Sequence, residues 1–406
     1  MTRAVAHEGH AGLSQARRRV AHAADMTGRE VERAVGWERS EWNKLAGGAG
    51  LAVKLGDGLP DWQPGCGSKS VEPGVQEALI ARFGETGLKA RAISVGAWDD
   101  PIEACFERGW SDGLPVVPPT DERILRMLGG TERKPDEIVG LIPPNLSPCT
   151  VEKVAINAVM AGCKPEYMPV LLAALEAALE PIFTMHGLLC TTCFAGPVIV
   201  VNGPIARRIG MNWGINALGQ GNRANASIGR ALRLVLTNIG GARPEIGDMA
   251  TMGQPAKYTL CFAERSDGPF PTLTERLGLG KDVSAITVMG ISGTAEVLPG
   301  DGEGASPEAI LDPIVAGMRA EIVMSGQSRK NERGEQVILL PLELAQKIVR
   351  HDGWDLKRVQ HYMFDKGEGT ASAPEAIHVI VTGGAGYKMA YLPVWGGGSK
   401  TVTRPL

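Results

Sequence analysis

From residue 120 onward, short apolar runs alternate with longer amphipathic segments, and this alternation most limits how the chain can fold. The apolar runs have the length of strands, and they include GPVIVVNG, SAITVMG, QVILLPL and PEAIHVIVTGGAG. Strands separated by helical segments favour an α/β architecture with a covered, partly parallel sheet. We therefore expect an α/β protein in which a layered sheet carries helices on both faces. The sequence contains no internal repeat of fixed period.

Glycine and proline clusters divide the chain into three predicted regions. Residues 1–50 form a helical arm, because residues 13–46 are rich in Arg and Ala and the glycines of AGGAG end them. Residues 51–108 predict a small α/β unit, and the proline-rich GWSDGLPVVPPTDE opens a main α/β domain over residues 109–406. The exposed arm suggests that copies of the chain assemble into a homo-oligomer.

Composition excludes several classes of partner. A net charge of −3 argues against nucleic acid and membrane surfaces, and 5% aromatic residues provide few stacking platforms for bases. No apolar run has the length of a membrane span, and residues 1–25 lack the apolar core of a secretory signal. Seven cysteines, an odd number, are consistent with free thiols. We expect a cytoplasmic protein.

The stretch QGNRANASIGRALRLVLTNIGG, residues 220–241, predicts an anion-binding helix terminus. A helix N-terminus offers unpaired N–H groups and a partial positive charge, and an arginine there adds a fork of donors. The alternative is ordinary capping with surface arginines. In α/β sheets, ligands bind at the edge where strands pass into helices, so the residue that ends the preceding strand is also a candidate for substrate binding. The predicted substrate-binding residues are Asn202, Asn222, Arg223, Asn225, Ser227 and Arg230, with Asn225 or Ser227 capping the helix.

A second candidate site lies in SPCTVEKVAINAVMAGC. Ser147 is the expected N-cap of this helix, which puts Cys149 near its second position, where the helix terminus would favour a thiolate. Glu152 and Lys153 are charged residues in a helix that is otherwise apolar around most of its circumference. They are candidates for a catalytic role beside Cys149. The alternatives are that Cys149 is a small buried residue without a chemical role, and that Glu152 and Lys153 belong to a structural polar network.

HGLLCTTC supplies three soft ligands, His186, Cys190 and Cys193. This spacing suits a zinc or iron ion with one open position, acting as a Lewis acid on a nitrile, amide or carbonyl. A redox dithiol and a buried, inert pair remain alternatives. Because the second ligand pair of a strong zinc signature is missing, no cofactor is predicted.

Cys66 lies in PGCGSKS, on a predicted loop between a strand and a helix. Flanking glycines leave its sulfur accessible, and Lys69 favours the ionised form. CGSK in this context resembles the motif of the UGSC family of bacterial (seleno)proteins, in which selenocysteine or cysteine precedes Gly-Ser-Cys in a small α/β domain. The resemblance implies a reactive residue at Cys66, but Lys69 replaces the second thiol, so no resolving thiol stands there.

Two later stretches, GWSDGLPVVPPTDE and EKVAINAVMAGCKPEY, resemble segments of an uncharacterised bacterial α/β family that is sometimes joined to such domains. Together these features predict an enzyme acting on a small anionic organic substrate through a cysteine thiolate, by lyase, transferase or thiol-redox chemistry. Cys66 and Cys149 are the candidate nucleophiles. The alternatives are the metal-dependent enzyme at His186, Cys190 and Cys193, and a non-catalytic assembly protein that binds a metabolite.

Overall fold

The structure is a computed structural model that describes residues 86–96, 98–324 and 334–406, with the backbone of Val5–Ala6. The chain divides into two compact units between Asp136 and Glu137. The predicted helical arm of residues 13–46 and most of the predicted small α/β unit lie outside the described residues. Cys66 and Lys69 lie there too, so their roles stay predictions.

The first unit contains short elements in its described part. Strand β1 (Val5–Ala6) pairs in parallel with β2 (Ser94–Val95), and helices α1 (Pro101–Glu107) and α2 (Asp121–Leu128) follow. Thr120 caps α2, because its side chain accepts a hydrogen bond from the Arg123 amide at 3.4 Å. The next residue after the helix is the C-cap Gly129.

The second unit opens with a hairpin and a group of helices. Strands β3 (Ile138–Ile142) and β4 (Ser147–Thr150) pair in an antiparallel manner. Three helices follow, with bounds α3 (Val151–Ala161), α4 (Met168–Ala178) and α5 (Met185–Cys190). Helix α3 ends at Gly162, whose φ of 85° is a left-handed conformation that glycine adopts without a steric penalty.

Two four-stranded sheets form the body of the second unit. The first has the order β12–β7–β5–β6 and the second the order β10–β9–β11–β8. The strands of the first sheet are β5 (Gly196–Asn202), β6 (Cys261–Ala263), β7 (Ala285–Ile291) and β12 (Val402–Pro405). Those of the second are β8 (Ala295–Val297), β9 (Gln336–Leu340), β10 (Ile377–Val381) and β11 (Met389–Leu392).

The two sheets repeat one topology. In each, a central strand pairs in parallel with the strand that follows it through helices, β5 with β6 and β9 with β10. The other neighbour of the central strand is antiparallel, β7 beside β5 and β11 beside β9. The two sheets exchange their fourth strands. Strand β8 follows β7 of the first sheet along the chain but pairs with β11 of the second, and β12 follows β11 of the second sheet but pairs with β7 of the first.

Corresponding helices connect the parallel strands. Between β5 and β6 lie the short α6 (Pro204–Arg208) and the long α7 (Arg223–Asn238), and α8 (Leu273–Arg276) precedes β7. Between β9 and β10 lie α10 (Leu342–Val349) and α11 (Leu356–Gly367). Helix α9 (Pro307–Met324) precedes β9 in the second half, as α4 precedes β5 in the first.

The sheets face each other across one core. Alternate residues of β5 and β9, Val198 and Val200 with Val337 and Leu339, belong to one buried cluster. The intervening Ile338 and Leu340 pack in a second cluster with α9, α10 and α11. Helix α4 contacts β5, β7 and β12, and α7 contacts β6. Because side chains alternate between the faces of a strand, each sheet has helices on its outer side and the other sheet on its inner side.

The predicted mixture of helices and sheets with parallel strand pairs is confirmed. The strands lie in separate sheets, whereas the sequence suggested one layered sheet. Among the described helices, none alone is long and apolar enough to cross a membrane. Residues Pro165–Ala178 and Pro181–Cys190 reach that length and composition only as a pair bent by 73°.

Candidate functional site

The prediction that Cys149 lies in the first turn of a helix is wrong. Ser147 and Cys149 belong to β4, and helix α3 begins at Val151 with Thr150 as its N-cap. Residues 147–150 form a strand rather than the first turn of the helix, because β4 pairs with β3 as far as Thr150. Cys149 is fully buried, and burial raises the pKa of its thiol to about 12, although the charge of Lys153 opposes the rise. A thiolate is therefore disfavoured there.

The charged residues of α3 have local contacts. The Lys153 ammonium donates a hydrogen bond to the Pro148 carbonyl at 2.6 Å, and Glu152 is buried. The Asn157 side chain, one turn further on, donates to the Lys153 carbonyl and accepts from the side-chain Nδ2 of Asn238 in α7 at 2.9 Å. These bonds fit the structural network that the sequence left open as an alternative.

The N-terminus of α7 is closed by its own loop. Asn222 is the N-cap, where the sequence suggested Asn225 or Ser227, and its side chain accepts from the Asn225 amide at 3.0 Å. The buried Asn225 side chain binds the backbone of Asn212 and Ala217, and the Ser227 hydroxyl donates to the Arg223 carbonyl. The helix starts earlier than predicted because Asn222 already satisfies an orphan amide.

Arg223 contacts the end of another helix. Its Nε donates to the Gly162 carbonyl at 2.8 Å and its Nη2 to the Cys163 carbonyl at 3.5 Å, so it caps the C-terminus of α3. Arg230 lies two turns along α7 and is half-buried. These partners favour the alternative that the sequence left open, namely structural capping, and the anion-binding role of this terminus stays a prediction.

Asn202 belongs to a buried group that we name the carboxyl-edge cluster: Asn202, Glu264 and Arg276. Asn202 ends β5, and Glu264 directly follows β6, so both lie at the carboxyl edge of these parallel strands. Asn202 Nδ2 donates to Glu264 Oε2 at 2.5 Å, and Arg276 Nη2 lies 3.6 Å from Glu264 Oε1. Burial raises the pKa of Glu264 in spite of the Arg276 charge.

The carboxyl-edge cluster also connects the two sheets. Arg276 Nη2 donates to the Val379 carbonyl of β10 at 2.8 Å, and the Thr382 hydroxyl donates to the Ala263 carbonyl of β6 at 3.0 Å. The backbone amide of Leu273 donates a third contact to the Glu264 carboxyl group, at 2.9 Å from Oε2. These contacts make the cluster a structural tie between the sheets.

At the opposite edge lies the amino-edge cluster, which we define as Arg233, Asp248 and Lys257. Lys257 lies four residues before β6, and its side chain packs close to Gly196, where β5 begins. Lys257 Nζ lies 2.7 Å from Asp248 Oδ1, and Arg233 Nη2 of α7 contacts Asp248 Oδ2. The side chains are 10%, 6% and 12% exposed for Arg233, Asp248 and Lys257.

The amino-edge cluster holds two cations against one carboxylate. Within the described part of the chain, Asp248 is the carboxylate that pairs with either cation. Burial alone would raise the pKa of Asp248, but the hydrogen bond from Lys257 and the charge of Arg233 hold it below its usual range. Burial lowers the pKa of Lys257, as does the charge of Arg233, and Asp248 only partly offsets this. One positive charge is therefore left over in a mostly buried place.

Two thiols lie at the end of α5 and on the loop that follows it, beside this cluster. Cys190, half-buried at the end of α5, has its Sγ 3.7 Å from the Gly247 carbonyl. Burial raises the pKa of the Cys190 thiol, and the charge of Asp248 adds to the effect. Cys193 is exposed, as is His186. Over residues 86–96, 98–324 and 334–406, no three His, Cys, Asp or Glu side chains are grouped so that they could hold a metal ion.

Sequence reasoning did not include Arg233, Asp248 or Lys257 among the candidate site residues. Arg233 is mostly buried because α7 is covered around most of its circumference from Ala231 to Thr237. Lys257 lies in GQPAKYTLCFAE, where a lysine shortly before an apolar strand gives no signal in a single sequence. Only the fold brings these side chains together.

Comparisons of this chain with protein-family models, with curated proteins and with solved structures found no match.

Proposed function

We propose that the second unit is an enzyme that acts on a small anionic organic molecule, bound at the amino-edge cluster. One observation carries the proposal: Arg233 and Lys257 share the single carboxylate of Asp248 while all three are mostly buried. An unbalanced charge in a low-dielectric site is costly, and an incoming carboxylate or phosphate would neutralise it. The substrate anion thus takes the place of a second carboxylate, which the described residues do not supply.

Lys257 is the proton-transfer group in this proposal. An arginine stays protonated in proteins, whereas a lysine whose pKa is lowered gives up its proton more readily than a free lysine. Perturbation by both burial and a specific charge partner is typical of groups in active sites. Cys193, the exposed thiol on the bordering loop, takes the place of Cys149 as the candidate thiol in the described residues.

The UGSC-like role of Cys66 remains part of the proposal as a second reactive group in the full chain. The metal site at His186, Cys190 and Cys193 stays an alternative to this proposal. Homo-oligomeric assembly through the N-terminal arm also remains proposed. The described cysteines are all free thiols, which supports the proposed cytoplasmic setting.

Calorimetric titration of the full chain with acetate, succinate and inorganic phosphate tests the anion site. We expect saturable binding to the wild type, at least tenfold weaker binding to Lys257→Met, and retained binding to Lys257→Arg. The matched control is Lys281→Met, since Lys281 is an exposed lysine beyond the opposite edge of the sheet. Equal binding by Lys257→Met and Lys281→Met would contradict the site.

The same titration repeated at increasing pH tests the role of Lys257. Because the folded pKa of Lys257 lies below its usual 10.5, its positive charge, and with it anion affinity, is expected to decline as pH rises through the lowered value. The Lys257→Arg variant should keep its affinity over the same range. A parallel decline in both proteins would show that another group controls binding.

A further inference from the structure

Large apolar side chains are exposed in the chain segments that carry, or are hydrogen-bonded to, Asp248 and Lys257. Ile246 and Met252 are 76% and 80% exposed. Met249 and Tyr258, in the same segment, are exposed as well, and so is Phe194 in the loop before β5. Monomeric proteins expose such side chains singly, whereas groups of them mark sites of binding. We name these five residues the apolar rim.

The apolar rim adjoins the charged residues through the backbone. Met249 directly follows Asp248, and Tyr258 directly follows Lys257, so each pair of Cα atoms is about 3.8 Å apart. The Ala250 amide donates to Asp248 Oδ1 at 3.2 Å, which holds the segment around Met249 against the carboxylate. The charge and the apolar surface therefore belong to one piece of structure.

Hydrogen bonds join the segment that carries Phe194 to the segment that carries Met252. The Thr251 amide donates to the Thr192 carbonyl at 2.9 Å, and Gln254 Nε2 donates to the Phe194 carbonyl at 2.6 Å. Gln254 Nε2 also contacts the Ile291 carbonyl at the end of β7, at 3.3 Å. The two rim segments are thus attached to each other and to the sheet.

We propose, building on the anion site above, that the amino-edge cluster takes organic anions with an apolar tail, such as alkyl or aryl carboxylates. The unbalanced cation of Arg233 and Lys257 receives the carboxylate, and the apolar rim covers the tail. Charge complementarity determines which end of the ligand binds the cluster. A small symmetrical anion such as phosphate uses the charge and leaves the rim uncovered.

Calorimetric titration of the full chain with acetate, butyrate, hexanoate and phenylacetate tests whether an apolar tail on the carboxylate raises the binding affinity. Each methylene that leaves water on binding is expected to raise affinity about three- to fourfold. In Met252→Ser and Tyr258→Ser the gain from acetate to hexanoate should shrink, while acetate affinity stays the same. The matched control is Leu277→Ser, because Leu277 is also exposed but lies outside the rim.

The outcomes separate this inference from the anion site. If acetate binds in a Lys257-dependent manner but longer tails add nothing, or if the rim variants keep the full gain, the tail proposal is overturned and the anion site stands. If no carboxylate binds in a Lys257-dependent manner, the anion site itself fails. If hexanoate instead changes the sedimentation coefficient of the protein, the rim serves association between copies, and the tail proposal is again overturned.

Discussion

The carboxyl-edge and amino-edge clusters lie at opposite ends of the same parallel strands and use the same kinds of charged group. The pKa values of their carboxyl groups nevertheless shift in opposite directions. The pKa of Glu264 is raised, because complete burial outweighs one guanidinium at 3.6 Å. The pKa of Asp248 is lowered, because Lys257 at 2.7 Å and Arg233 outweigh burial. Close cationic partners, rather than burial, decide which carboxylate stays charged.

This difference separates the structural cluster from the cluster that we propose as the functional site. The carboxyl-edge cluster balances one acid with one base and ties β10 to the first sheet through Arg276. The amino-edge cluster has a charge to spare and borders an exposed thiol and an exposed apolar surface. Ligands of α/β sheets usually bind at carboxyl edges, so the favoured site here departs from the general rule.

The largest expected effect concerns the structural role of the carboxyl-edge cluster. Replacing one partner of a buried ion pair leaves the other uncompensated, so Arg276→Met should lower the free energy of unfolding by about 3–5 kcal/mol. Urea denaturation of the full chain measures it. The double variant Arg276→Met/Glu264→Gln should recover part of the loss. A loss within about 0.5 kcal/mol for Arg276→Met would show that the cluster does not tie the sheets.

The next effect uses two alkylating agents of similar size to detect the spare charge of the amino-edge cluster. Iodoacetate is anionic and iodoacetamide is neutral. The rate of alkylation of Cys193 by iodoacetate, divided by its rate with iodoacetamide, therefore reports the local electrostatic potential. In Lys257→Met this ratio should fall on the order of tenfold relative to the wild type, and in Lys281→Met it should not change. Peptide mass spectrometry measures both rates. An unchanged ratio in Lys257→Met would place Cys193 outside the field of the cluster.

The pH dependence of stability should differ in sign between the clusters. The lowered pKa of Asp248 contributes stability that is fully present above its usual value of 3.8 and lost as pH falls further. The raised pKa of Glu264 works the other way, because the folded state holds the proton more tightly. Its contribution is present below the usual value of 4.5 and lost as pH rises through the raised value.

Urea denaturation across this pH range checks the signs. The stability of Glu264→Gln relative to the wild type should improve as pH rises above 4.5. That of Asp248→Asn should worsen as pH rises toward 3.8 and then stay constant. The same sign of change in both variants would remove the distinction between the clusters.

The smallest expected effect is a lack of change at Cys149. Because its thiol is buried with a pKa raised to about 12, iodoacetamide should label Cys193 in the native protein while Cys149 stays unlabelled at neutral pH. Labelling in urea, where both should react, is the control. Rapid native labelling of Cys149 would restore it as a candidate nucleophile.

The sequence predicted much of the local structure, because local structure depends on neighbours in the chain. The strands predicted around GPVIVVNG, SAITVMG, QVILLPL and IHVIV all form. The start of α3 was misplaced because the pairing of Cys149 with Gly140 on β3 is a contact between separate segments. An N-cap pattern alone cannot show that a strand competes for the same residues.

The repeated topology of the two sheets was not visible in the sequence. It consists of strand orders and exchanged fourth strands, and it needs no repeated residues at a fixed period. Many apolar sequences satisfy the same burial pattern, so similar folds can arise without detectable internal similarity.

The sequence by itself determined the α/β class and the presence of parallel strands, since these follow from the hydrophobic period and from the helical connections between strands. The tertiary structure alone decided which polar residues form a site. It placed Arg223 on the end of α3, and it brought Arg233, Asp248 and Lys257 together from positions up to 24 residues apart. Electrostatic function depends on distance and burial, and neither quantity can be obtained from the order of residues along a chain.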